Sequence, residues 1–276
     1  MDNQKKLAKV ISFPPSADCE LGRWVLRYHQ VNFVEDRHAP PFFLLAVRFN
    51  GGSSFPLFIQ QKKVLDGVRP IIDHFDAIAA FEKKLIPDEY ANEMESIWQS
   101  FNKELGSAVI TWAYSNLLPY KDIMIRPLSL ACPWYEQIFV KYLYNIPKTL
   151  LWNSLKLNKP AADEAFVVIQ KVFSDVDNML TDGRKYLFGE RITLADIAFA
   201  VSGAPLVLPE GYGGFQYEQG PVPTLEQFPE ELQIIINNMR ETPAGKFILR
   251  LYAEERYSNN IKDNSDTGDS GDVNLV

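Results

Sequence analysis

Apolar and polar positions follow two different periods along this chain, and the change from one to the other divides it. Residues 8–13 form a short apolar, β-branched run that reads as a strand and is stopped by Pro14-Pro15. A helix is expected from about Ala17, because Leu21, Trp24, Val25 and Tyr28 fall at i, i+3, i+4 and i+7. Residues 31–35 alternate again and predict a second strand, completing a βαβ unit. Residues 56–60 and 62–66 read as two strands with almost no loop between them, which only an antiparallel hairpin can join. Gly67 then opens a helix whose apolar face is Val68, Ile71, Ile72, Phe75 and Ile78. Pro70 stands in its first turn, where a missing N–H costs little.

Beyond Lys83-Lys84 and Pro87 the period becomes helical throughout. Helices are expected over 90–118, 134–157, 163–180, 193–202, 226–240 and 244–257. No internal repeat is visible. One helix start is specified unusually well: Thr193 and Asp196 form a capping box, with Ile192 and Ile197 placed as a hydrophobic staple. The expected division is a βαβ–ββα domain over 7–82, an all-helical domain over 88–257 and a tail over 258–276. The tail is rich in Asn, Asp, Ser and Gly and reads as solvated and disordered. Its Asp263, Asp266, Asp269 and Asp272 recur every three residues, which leaves weak calcium binding as a lesser alternative.

Composition narrows the function classes. The chain has 276 residues and is 46% hydrophobic, enough for one large domain or two modest ones with a substantial core. A net charge of −7 argues against a partner held by nucleic-acid phosphates. Two cysteines, Cys19 and Cys132, cannot build a disulfide framework or a four-thiolate zinc site, so a reducing cytoplasm is the expected compartment. No run approaches the roughly 20 apolar residues that span a bilayer, and Pro14-Pro15 ends the N-terminal apolar run too soon for a signal peptide. No membrane partner is expected. His29, His38 and His74 show no metal-ligand spacing, and no metal is expected. Gly211-Tyr212-Gly213-Gly214 lacks the Lys-Ser/Thr of a phosphate loop, and no Gly-x-Ser-x-Gly elbow occurs.

Four local features resemble the cytosolic glutathione S-transferase superfamily over about residues 7–257. Phe13-Pro14-Pro15-Ser16-Ala17-Asp18-Cys19, leading into Gly22-Arg23-Trp24-Val25-Leu26, is similar to that family's active-site turn and first helix. Phe55-Pro56 stands where the family carries a cis-proline. Asp66-Gly67 occupies the place of its Glu-Ser or Gln-Ser. Tyr186-Leu187-Phe188-Gly189-Glu190-Arg191-Ile192-Thr193-Leu194-Ala195-Asp196 resembles its buried capping-box segment. The resemblance implies a thioredoxin-like α/β N-terminal domain and an all-α C-terminal domain.

It also implies a site. Ser16, at a helix start that favours negative charge, would donate a hydrogen bond to the glutathione sulfur and raise the thiolate fraction. As a plain alternative, Ser16 is simply an N-cap. Cys19 completes a Ser-x-x-Cys in the slot of a redox dithiol, and either acts as a thiol or packs as a small hydrophobe. Ser12-Phe13 in the first strand disfavours the tyrosine-type mechanism. Phe55 and Pro56 would hold the cysteinyl backbone like an added strand. Asp66 and Gly67 would take the γ-glutamyl end, although Gly67 supplies no hydroxyl, a loss of about 0.5–1.5 kcal/mol. Trp112, Tyr114 and Tyr120 either line an apolar second-substrate pocket or pack in the core.

The function expected is therefore glutathione transfer to, or reduction of, a small hydrophobic electrophile, with glutathione as co-substrate. The alternatives are a non-catalytic binding module on the same fold and a Cys19-dependent reductase. Phe42-Phe43-Leu44-Leu45 reads either as the anchor of a homodimer or as the family's second helix.

Overall fold

The structure is a computed structural model that describes residues 7–214, 220 and 223–258. The expected tail from 259 onward lies outside the described residues. Strand β1 (Ala8–Ser12), helix α1 (Ala17–Tyr28) and strand β2 (Phe33–Arg37) form the βαβ unit, with β1 and β2 parallel. Strand β2 starts two residues later than the alternation suggests. Gln30 takes a positive φ of 56° and Val31 N–H bonds back to the Leu26 carbonyl, so these residues close α1 instead. Helix α2 (Phe42–Phe49) follows, then β3 (Leu57–Gln60), β4 (Lys63–Asp66) and helix α3 (Val68–Ala77). The sheet order is β2-β1-β3-β4, with β3 antiparallel to both its neighbours. Alternation along β1 sends Ala8 and Val10 to a core with Leu26, Phe58, Ile71 and Phe75, and Ile11 to the opposite core with Val47 and Leu57. The Phe42–Leu45 run is a helix in which Phe43 is buried in its own subunit, not a free anchoring loop.

The remainder is helical. Helices α4 (Ala91–Trp98) and α5 (Gly106–Leu117) are joined through a π-helical stretch, Gln99–Leu105. The sequence pattern gives one helix over 134–157 and none between it and the helix expected over 90–118. The structure instead has α6 (Lys121–Ser129), α7 (Trp134–Tyr142) and α8 (Asn145–Ser154). Pro127 masks α6 in the sequence yet is accommodated inside it. The break between α7 and α8 lets Tyr144 turn inward and donate to the Leu118 carbonyl at 2.8 Å. Then come α9 (Lys159–Met179), α10 (Leu194–Val207), α11 (Glu230–Glu241) and α12 (Pro243–Glu254).

Helix α10 is buried on nearly every side, and its start is set by the capping box. The Asp196 carboxylate accepts from the Thr193 N–H and hydroxyl and from the Leu187 N–H, each at 2.7 Å. Burial pushes its pKa up to about 6 against the pull of those donors. Leu194 N–H also bonds to the Leu85 carbonyl, and Leu85 N–H bonds to Asp76 at the end of α3. The linker is thus pinned at both ends.

A second set of buried charges ties the sheet half to the chain's far end. Glu20 of α1 is fully buried and accepts from Arg23 Nη1 at 3.1 Å, Arg256 Nε at 2.8 Å and Gly213 N–H at 3.1 Å. Beside it, Glu35 of β2 accepts from Arg23 Nε at 2.7 Å, Arg37 Nη2 at 2.6 Å and the Ser12 hydroxyl at 2.5 Å. Burial would raise Glu35, but Arg23, Arg37 and Ser12 outweigh it and hold its pKa at about 2. Gly214 closes this corner with a φ of 88°. A Cβ there would lie 3.1 Å from Arg37 Nη2, so only glycine suits the position. A third clasp joins β2 to α7: His38 Nδ1 meets the buried Glu136 at 2.8 Å, His38 Nε2 meets Asp36 at 3.1 Å, and Ala39 N–H donates to Glu136 at 2.7 Å.

Two outcomes follow. Glu20→Ala strands two buried guanidinium groups and a buried N–H, so urea unfolding should show a loss of about 3–5 kcal/mol; a loss under about 1 kcal/mol would contradict the arrangement. The hydrogen bond to Glu136 raises the His38 pKa above its ordinary 6.5. Its contribution is therefore complete below 6.5 and is lost as pH rises through the higher folded value. The stability gap between wild type and His38→Gln should shrink as pH rises across that window, and a gap that widens would reverse the assignment.

Candidate functional site

The turn after β1 carries the first candidate. Pro14-Pro15 ends the strand, and Ser16 takes an extended φ of −71° and ψ of 127° as the N-cap of α1. Its Oγ accepts from the Cys19 N–H at 3.2 Å, so the capping role is present. The hydroxyl hydrogen is left to donate outward from a half-buried side chain at the positive end of α1. Cys19 has the opposite surroundings. It is 1% exposed, and its Sγ accepts from the Phe13 N–H at 3.4 Å. Burial pushes its thiol up to about 12 in spite of Arg23 and that N–H.

The second and third candidates share an end of the sheet with the first, because Leu57 of β3 pairs with Ile11 near the end of β1 and with Asp66 at the end of β4. The Phe55-Pro56 bond is cis. A Cβ at Gly22 would stand 2.9 Å from Pro56 Cγ, so α1 rests directly on this proline, and Gly67 N–H donates to the Pro56 carbonyl at 3.1 Å. Ser16, Phe55-Pro56 and Asp66-Gly67 are therefore gathered at one end of the sheet. The Phe55 ring packs against Phe43 at 4.8 Å and Phe13 at 6.2 Å, which fixes that strand entry.

Asp66 does more than its position alone suggests. Its Oδ2 accepts from the Ser53 N–H at 2.9 Å and the Ser53 hydroxyl at 2.6 Å, and its Oδ1 accepts from the Ser54 N–H at 2.7 Å. Slight burial acts the other way, but these donors hold its pKa below the ordinary carboxylate value. Gly67 is the N-cap of α3 with φ 94° and ψ 168°, a region that side chains avoid. Its missing side chain points toward Ser54, whose Cβ would lie 3.6 Å from a Cβ at position 67. Ser53 and Ser54 escape a sequence reading because their link to Asp66 spans a loop with no periodic signal.

Next to the Ser16 turn lies an apolar pocket lined by Pro15, Ile110, Tyr114, Met124, Tyr212 and Phe228 among others. Tyr212 O–H donates to the Pro15 carbonyl at 3.2 Å, so the segment after α10 forms a wall of this pocket. Of the three aromatics expected here, only Tyr114 lines it. Trp112 is buried and stacks on Phe166 at 5.9 Å, and Tyr120 faces away into solvent. Tyr212 carries no signal of its own in the sequence, where its glycine neighbours resemble only an incomplete phosphate loop. Among the described residues, no group of three or more His, Cys, Asp or Glu is placed to hold a metal ion.

Comparisons with known proteins agree with this fold. Residues 136–204 match the family model for the glutathione S-transferase C-terminal domain. No curated protein matches the sequence. A glutathione transferase from Phanerochaete chrysosporium superposes with a TM-score of 0.60 at 11% identity, covering 91% of this chain and 97% of that one. A glutathione S-transferase of Ceriporiopsis subvermispora, solved in complex with glutathione, gives 0.56 at 12% identity over 91% and 99%. The beta-etherase LigF from Sphingobium sp. strain SYK-6 gives 0.52 at 19% identity over 88% and 98%. At such identities the likeness is one of fold. The chain has the glutathione-transferase fold, a thioredoxin-like α/β domain followed by a helical domain, and within the latter residues 136–204 match the model of the glutathione S-transferase C-terminal domain.

Proposed function

We propose that the protein is a glutathione-dependent transferase acting on small hydrophobic electrophiles. The observation that carries this reading is the gathering of Ser16, Phe55-Pro56 and Asp66-Gly67 at one end of the sheet beside an apolar pocket. The Phe55 main chain would pair with the cysteinyl residue, and the Ser16 hydroxyl would donate to its sulfur. The α1 N-terminus favours the thiolate at that point. The thiolate then attacks an electrophilic carbon held in the pocket, a carbon–sulfur bond forms, and the leaving group departs with its bonding pair. The α3 N-terminus has no acidic residue in its first turn, so it can receive the γ-glutamyl carboxylate. Ser54 supplies the hydroxyl that Gly67 lacks, and Asp66 orders the loop bearing it while facing the ammonium. A reducing compartment such as the cytoplasm, rich in glutathione, suits both free cysteines.

One observation favours a second reading. The Asp66 carboxylate already has three donors within the chain, as it would in a binding module that has ceased to take glutathione. A calorimetric titration separates the two, because the transferase must bind glutathione and the module need not. The Cys19-dependent reductase finds no support, since a thiol with a pKa of about 12 is neither ionised nor accessible near neutral pH.

With glutathione and chlorodinitrobenzene, Ser16→Ala should lower kcat by roughly tenfold or more and change glutathione affinity little. Cys19→Ala should leave turnover near wild type; equal loss in both variants would refute the role of Ser16. Gly67→Ser restores the family's residue but forces a side chain to φ 94°, so it should cost roughly 1–3 kcal/mol of stability. Ser54→Ala, by contrast, should weaken glutathione binding without that cost. Tighter binding by Gly67→Ser would show that Ser54 does not stand in for it.

A further inference from the structure

Helices α2 and α7 share an exposed apolar face. On α7, Trp134, Tyr135, Ile138 and Tyr142 fall within one stripe of the helix, and all are exposed, Trp134 by 73% and Tyr142 by 70%. On α2, Phe42, Leu45 and Phe49 fall at i, i+3 and i+7. Their opposite face, Phe43 and Val47, is the one buried in the core, while Phe49 is 85% exposed. The two stripes join, because Phe42 meets Tyr135 edge-on at 6.1 Å and Phe139 at 5.1 Å. Leu143 in the turn after α7 and Ile146 in the first turn of α8 are exposed as well. Single exposed apolar side chains are ordinary on a protein surface, but a joined face of this size marks an interaction site.

Its charge identifies the occupant. The chain carries a net −7, yet residues 37–65 contain no Asp or Glu. Residues 131–160 contain one, Glu136, which is buried against His38. The charges these two segments offer to solvent are basic, and those on or next to the helices of this face are Arg48 on α2, Lys141 at the end of α7, Lys148 on α8 and Lys156 beyond it. Exposed tryptophan and tyrosine, bulky aliphatics and lysines, with acid confined to Asp36, which is held by His38 and Lys9 beside Tyr135, are the composition that settles at an anionic lipid headgroup layer. A second copy of the chain fits less well, since a two-fold pairing would set the lysines of one face against those of the other.

We infer that this α2–α7 face docks the protein on anionic membranes, lying at the headgroup level without spanning them. No helix among the described residues is long and apolar enough to cross a bilayer, and surface docking requires none. This revises the expectation of no membrane partner, which rested on spanning segments alone.

The test is co-sedimentation of the full chain with phosphatidylcholine vesicles and with vesicles containing about 30% phosphatidylserine. Binding to the anionic vesicles should be at least about tenfold stronger and should weaken as salt rises. Trp134 is by far the most exposed of the five tryptophans, so wild-type emission should shift to the blue on binding and be quenched by brominated acyl chains. The combined variant W134S/I138S/Y142S alters only exposed side chains and should lose binding with its circular dichroism unchanged. Equal partition to both vesicle types overturns the inference, as does unaltered tryptophan emission in their presence. So does a solution dimer that the triple variant converts to monomer while vesicles have no effect, because the face would then belong to a second copy.

Discussion

Glu20 sits where three distant parts of the chain must meet, and no water reaches it. One carboxylate takes hydrogen bonds from Arg23 in its own helix, from Gly213 after α10 and from Arg256 beyond α12. A buried carboxylate is costly unless its partners are all in place, so the three segments are held to one arrangement. Glu35 repeats the device one layer out, binding Ser12, Arg23 and Arg37. The outer edge of the Arg256 guanidinium finds no acceptor among the described residues and lies against the Trp24 and Tyr257 rings, at 5.3 and 4.7 Å. Well-packed apolar residues could serve stability as well. The ionic version adds geometry, because a planar fork accepts only a narrow range of approach.

That geometry reaches the site. Helix α1 carries Glu20 and Arg23 on its buried face, and Ser16 at its start. Fixing α1 against the 212–214 turn brings Tyr212 onto the Pro15 carbonyl, which makes one wall of the apolar pocket. The Ser16 turn and the apolar pocket beside it are thus positioned by the same charges. The clasp of His38 and Ala39 on Glu136 performs the corresponding task on the other side, holding α7 to the end of β2. The pinned linker, from Asp76 through Leu85 to Leu194, completes the frame.

Much of this was legible in the residues because it is local. The βαβ–ββα order, the hairpin and the Thr193–Asp196 box each depend on neighbours within a few positions, whereas the cis bond at Phe55-Pro56 is implied only by the family resemblance. Ser16 as a cap was equally visible. Less could be read where distant segments decide the outcome. Pro127 hid α6, and the break at Leu143 and Tyr144 follows from a hydrogen bond to Leu118, far back in the sequence. Gly213 and Gly214 look like a failed phosphate loop until Arg23 and Arg37 are seen packed against them. Ser53 and Ser54 gain meaning only when the hairpin folds Asp66 back over them.

The central claim is that one end of the sheet is a glutathione site built on Ser16, Phe55 and the Asp66-Gly67 turn. A crystal structure of the protein soaked with glutathione tests it most directly. The account predicts the sulfur within hydrogen-bond distance of Ser16 Oγ, the cysteinyl backbone paired with Phe55, and the γ-glutamyl end at the start of α3. Glutathione seated elsewhere, or a site left empty at saturating concentration, would contradict it.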